Sequence, residues 1–96
     1  MKILAKSRTI VADEAAYTRE RLTAEARHVW ALQQAGIVRE IYYTHEGEAV
    51  IVLESRDLAE ARALLAQFPL AQAQLIDFTV DELRAYDGYA RLFAGK

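Results

Sequence analysis

The side chains able to do chemistry are few and widely spaced along the chain. Glu25 lies in the stretch RERLTAEARHVWALQQ. On a helical wheel it stands about 40° from Val29, at the edge of an apolar stripe. A carboxylate there is partly withdrawn from water, which raises its pKa and suits it to take a proton from a substrate. The same position also fits a surface glutamate paired with Arg21 or Arg39. Arg39 and Glu40 are neighbours in a segment with strand character, so they point to opposite faces. An arginine can clamp a substrate carboxylate with two parallel hydrogen bonds, and the glutamate could serve as an alternative base. Charges on an edge strand that discourage aggregation are the structural alternative.

Tyr42 and Tyr43 give one phenol to each face of that strand. One of them could donate to a developing enolate oxygen, or both could pack at an interface, where tyrosine is common. Trp30 and His28 flank the stripe that carries Glu25. Trp30 reads as a packing anchor or a substrate platform. His28 reads as an exposed helical histidine or a proton shuttle. Asp77 and Asp81 project from the far side of the last strand, where they could line a pocket or be solvated.

The elements that must position these groups follow from periodicity. Residues 2–8 alternate, with Ile3, Ala5 and Ser7 on one side, and predict a strand. A helix is expected from Thr9 or Asp13 to about Ala35, with Leu22, Ala26, Val29 and Leu32 on its stripe and Gly36 as a left-handed cap. Residues 37–44 are β-branched and aromatic, and predict a strand in which Ile37, Arg39, Ile41 and Tyr43 share one face and Val38, Glu40 and Tyr42 the other. Gly47 supplies a turn, and the apolar run 48–54 predicts a central strand. Asp57 and Glu60 fit a capping box that opens a second helix, with Leu58, Ala61, Leu65 and Phe68 on its stripe and Pro69 at its end. After a loop at 70–74, residues 75–83 alternate, with Ile76, Phe78 and Val80 toward the core and Leu75, Asp77 and Asp81 away from it. An aromatic tail follows at 86–96 and is expected at a dimer interface.

This order is β-α-β-β-α-β. Two right-handed strand-helix-strand units predict an α+β, ferredoxin-like domain spanning 1–96, with a four-stranded antiparallel sheet in the order 4-1-3-2 and both helices on one face. The other face is left bare. A small domain buries only about 60% of its unfolded surface, so pairing through that face is the expected remedy.

Composition narrows the function classes. The chain has 96 residues, 53% of them hydrophobic, and a net charge of −2. The scattered arginines form no basic patch, which argues against nucleic-acid binding. The absence of cysteine excludes disulfides and thiolate metal sites. Two histidines without metal-ligand spacing give no metal site, and no cofactor is expected. No apolar run approaches the roughly 20 residues of a membrane span, so no membrane partner and a cytoplasmic location are expected.

Three runs carry a resemblance to a known family: LQQAGIVREIYY at 32–43, VIVLESRDLAEARALLAQFPLAQAQLIDFTVDELRAY at 50–86, and GYARLF at 88–93. Together they resemble the muconolactone delta-isomerase-like family over roughly residues 20–93. The most specific pieces are FPLAQA, LIDFTVDEL and the aromatic tail; Arg62 stands where the founding enzyme carries a histidine. The resemblance implies a dimeric α+β barrel that can assemble further. It also implies a cofactor-free isomerase that shifts a proton on a small anionic unsaturated lactone or related carbonyl acid from aromatic-compound breakdown. On that reading Glu25 moves the proton, Tyr42 or Tyr43 steadies the enolate, and Arg39, Glu40, His28 and Trp30 hold the ligand. A non-catalytic dimer that binds a ligand or accompanies an enzyme is the alternative.

Overall fold

Ile3, Ala5 and Ser7 are all buried, as their alternation requires, and they begin a four-stranded antiparallel sheet. The computed structural model describes residues 1–93. The strands are β1 (Lys2–Thr9), β2 (Val38–Tyr43), β3 (Ala49–Glu54) and β4 (Ile76–Leu83), and the helices are α1 (Arg19–Gln34), α2 (Leu58–Ala66) and α3 (Pro69–Gln72). The strand order is β2-β3-β1-β4, the ferredoxin-like arrangement that the hydrophobic pattern predicts. β3 is central and β2 is an edge, also as predicted.

Local chemistry accounts for the ends of the elements. Thr18 caps α1 by accepting the Arg21 amide, while Asp13 caps a separate 3-10 turn at Glu14–Ala16. The first helix therefore starts later than its periodicity suggests, because two polar caps compete for the same stretch. Gly36 sits at φ 78°, and the Gly36 and Ile37 amides donate back to Gln33 and Leu32, a Schellman closure. Asp57 caps α2 through the Glu60 amide, but Glu60 reaches the amide of Arg56 rather than that of Asp57, so the box is only half formed. Pro69 does end α2. It also opens α3, a turn of helix across most of the expected 70–74 loop, because proline is favoured at a first helical position.

Cross-strand pairs show which side chains share a face. Ile3 and Ala5 pair with Leu53 and Ile51, and Ala5 also pairs with Val80, so these residues meet under the helices. Val38 pairs with Leu53 and Ile41 with Ile51, with a bulge between Val38 and Glu40. The bulge corrects the simple alternation expected for β2: Val38 joins Ile41 and Tyr43 on the helix side, and Arg39 is the extra residue. Leu75 is likewise buried rather than facing away, because it precedes β4 in the turn that closes α3, where its amide donates to the Leu70 carbonyl and strand alternation does not apply.

The core is asymmetric. Ile3, Ile51, Leu53 and Phe68 are fully buried, and α2 adds Ala61 and Leu65. Burying an aliphatic or aromatic side chain of this size contributes roughly 1.5–3 kcal/mol. No residue of α1 is fully buried, although Val29 and Leu32 touch the core. The sheet with α2 and α3 therefore carries most of the packing energy, and α1 rests more loosely against α3 and β2. Among the described residues no helix is long and apolar enough to cross a membrane.

Candidate functional site

The loose seating of α1 leaves a cleft of about 840 Å³ between that helix and the helix-side face of the sheet. Ser7, Ile51 and Phe78 belong to the sheet side of this space, Phe68 and Leu70 to the chain around α3, and Glu25, Val29 and Trp30 to α1. Ile41 and Tyr43 line it from the β2 edge, and Glu46 and Gly47 from the hairpin turn.

Glu25 is the best-placed ionisable group. It is half-buried, and its Oε1 accepts the amide of Leu70 at 2.9 Å. That bond bridges 45 positions and replaces the side-chain cap that Phe68 cannot give α3. Burial raises the Glu25 pKa above the usual glutamate range; the Leu70 amide and nearby His28 oppose the rise. A carboxylate so placed is more basic than one in water, with one oxygen held and one left for other work.

The other candidate residues divide between two faces. Trp30 and Tyr43 line the cleft with Glu25, and both are largely exposed. Glu40 and Tyr42 pair with Val52 and Val50 on the opposite face of the sheet. There the Tyr42 hydroxyl donates to Glu40 Oε1 at 3.0 Å, and that bond with the glutamate's charge raises the tyrosine pKa. Arg39 sits in the bulge and donates from Nε to the Gly36 carbonyl at 2.6 Å; it is not part of the cleft lining. His28 stacks edge-on against Phe68 with centroids 5.1 Å apart, outside the cleft lining, and its buried Nε2 has no hydrogen-bond partner among the described residues. The chain thus gathers Glu25, Trp30 and Tyr43, and does not bring Arg39, Glu40, Tyr42 or His28 into the same space. Of the two aspartates on the last strand, Asp77 accepts two exposed hydrogen bonds from Arg8, from Nε and Nη2, at 2.8 Å each.

Two cleft residues escaped sequence reasoning. Ser7 is buried, and its hydroxyl oxygen accepts the Ala49 amide at 2.8 Å, which leaves its hydrogen available to donate. Its inward position on β1 was legible from alternation, but a lone serine in a strand carries no chemical signal. Tyr17 donates to the Val11 carbonyl at 2.7 Å, with the Leu75 carbonyl at 3.0 Å, and so ties the chain before α1 to the residue that precedes β4. That role depends on a contact across 58 positions.

The fold and site define a ferredoxin-like α+β domain with a cleft suited to a small molecule. No family model matches the sequence, and no curated protein matches it. Among solved structures the chain is similar to 5-chloro-2-hydroxyhydroquinone dehydrochlorinase (TftG) from Burkholderia phenoliruptrix AC1100, solved in complex with 2,5-dihydroxybenzoquinone. The TM-score is 0.72 at 11% identity, over 92% of this chain and 98% of that one. At that identity the likeness establishes a shared fold.

Proposed function

We propose that this chain binds a small unsaturated carbonyl compound in the α1–sheet cleft and moves a proton on it, with Glu25 as the base. The carrying observation is the half-buried Glu25 carboxylate on the cleft wall, one oxygen anchored on Leu70 and its basicity raised by burial. Glu25 takes a proton from the carbon next to the carbonyl. The electron pair moves into the enolate, and the Glu25 carboxylic acid returns the proton further along the conjugated system. The double bond shifts, and no redox partner is consumed. Ser7 and Tyr43 are the hydroxyl donors available to the enolate oxygen from the same cleft. The resemblance to the muconolactone delta-isomerase-like family and the fold shared with a dehydrochlorinase of a hydroxyhydroquinone both favour this class of chemistry.

The protein acts as a homodimer on this reading, two copies closing through the open sheet face. Its accessible surface is 7004 Å², against roughly 5,500 Å² for a compact monomer of this mass. Tyr86, Tyr89, Leu92 and Phe93 are all more than two-thirds exposed and contribute to that excess. Residues 94–96 of the tail lie outside the described residues. The second reading, a binding dimer without turnover, is favoured by one observation: the Leu70 bond gives Glu25 a sufficient structural reason to exist.

Solvent-deuterium uptake distinguishes them. Incubation of a β,γ-unsaturated cyclic ketone with the protein in D2O should incorporate deuterium at carbon, and Glu25→Gln should abolish the catalysed uptake. Uptake that persists in Glu25→Gln rejects Glu25 as the base, and no uptake with any member of a ketone and lactone panel favours the binding dimer.

A further inference from the structure

We infer that the cleft selects neutral ring compounds and rejects carboxylates. This inference rests on the reading of the α1–sheet cleft as the ligand site and names what that site takes. It departs from the sequence-based expectation of an anionic ligand.

Charge is the first observation. Among the described residues, the ionisable acids lining the cleft are Glu14, Glu25 and Glu46, and no lysine, arginine or histidine lines it. The candidate carboxylate clamp, Arg39, spends its Nε on the Gly36 carbonyl outside the lining. Arg21, on α1 itself, is turned to the Ala16 carbonyl at 2.8 Å. A bound carboxylate would thus meet like charge from the helix, from the turn before it and from the hairpin, with no opposite charge in the lining. Like charges in a partly dry space repel more strongly than in water.

Shape and surface chemistry are the second. Five aromatic side chains line the space, Tyr17, Trp30, Tyr43, Phe68 and Phe78, which favours a flat ring over a flexible chain. The volume, about 840 Å³, lies in the upper part of the range for pockets that take drug-sized ligands, so a single small ring would fill little of it. Trp30 is 60% and Tyr43 81% exposed at the mouth. A ring of two fused cycles could reach from them toward Phe68 and Glu25. A carbonyl or hydroxyl oxygen on that ring can accept from the Ser7 hydroxyl, and a ring hydroxyl can donate to the free oxygen of Glu25. The carboxylates tolerate such a group because a phenol can donate to them.

A matched pair tests the charge rule. Calorimetric titration of the full chain at pH 7.5 with 2-naphthol and with 2-naphthoate compares rings of one size that differ in charge. Trp30 is the only tryptophan, so its single indole N–H resonance in NMR reports whether either probe enters the cleft. Naphthol should bind at least tenfold more tightly and shift the indole signal. In the Glu14→Gln/Glu46→Gln double variant, which leaves Glu25 untouched, the gap should narrow at least threefold. Equal or tighter binding of naphthoate with the indole shifted overturns the inference and leaves the cleft standing as a ligand site. Failure of both probes to move the indole overturns the inference and the reading of the cleft together.

Discussion

Glu25 holds α3 in place and also offers a basic oxygen to the cleft, and the two roles respond differently to substitution. Its folded-state pKa is raised, chiefly by burial, so the charged form is the disfavoured one. A group shifted in this direction adds most to stability when protonated, and the contribution is lost as pH rises through its folded pKa. Glutamine keeps an oxygen for the Leu70 amide and cannot ionise. Glu25→Gln should therefore match the wild type near pH 4 and exceed it in melting temperature at pH 7.5. Glu25→Ala, which leaves α3 uncapped, should lose about 1 kcal/mol. Thermal unfolding of the three proteins at both pH values checks the sign; a Gln variant less stable than wild type at pH 7.5 would show that the anion is the preferred form.

At the scale of elements, α3 is where the chain carries strain. Its C-terminal closure uses the same hydrogen-bond pair as that of α1: the Gln74 and Leu75 amides donate to Ala71 and Leu70. The residue in the left-handed position is glycine in α1 but Gln74 in α3, at φ 61°. A side chain in that conformation costs roughly 1–2 kcal/mol. Gln74→Gly should raise stability by about 0.5–1 kcal/mol, the larger gain being offset by the flexibility glycine adds to the unfolded chain. Chemical denaturation at constant m-value measures it, and a loss of stability would mean that the glutamine side chain makes a compensating contact. Because α3 forms one side of the cleft, the same variant also tests whether relaxing this turn changes ligand affinity.

For the whole molecule, the open sheet face and the aromatic tail are the surfaces that a single copy leaves unsatisfied. Leu4, Val50 and Val52 form a half-exposed apolar centre on that face. Around them stand the ion pairs Lys6–Glu48 and Arg8–Asp77 and the Tyr42–Glu40 bond. An apolar centre with a polar rim is the usual anatomy of an interface. The radius of gyration is 16.1 Å, against roughly 12.5 Å for a compact chain of this length, and among the described residues Tyr86, Tyr89, Leu92 and Phe93 are largely exposed. On the homodimer reading, Val52→Lys puts a charge at the centre of the contact. It should convert the dimer to monomer in analytical ultracentrifugation while the circular dichroism spectrum is retained; a dimer that survives would place the contact elsewhere.

Sequence alone determined the four strands and the two longer helices, the strand order and the inward row of β1, because period-two and period-3.6 patterns, caps and turn glycines are local properties of the backbone. It also singled out Glu25, since a carboxylate at the margin of a helical stripe is visible on a wheel. Tertiary structure decided the rest. The bulge at Arg39 sends Val38 inward and leaves the arginine out of the cleft, and no pattern of side-chain types announces one extra residue in a strand. The Glu25–Leu70 bond joins parts of the chain 45 residues apart. The division of Tyr42 from Tyr43 was local and legible, but which of them joined Glu25 depended on the side of the sheet to which α1 docks. Contacts of that kind arise only when distant segments share one core.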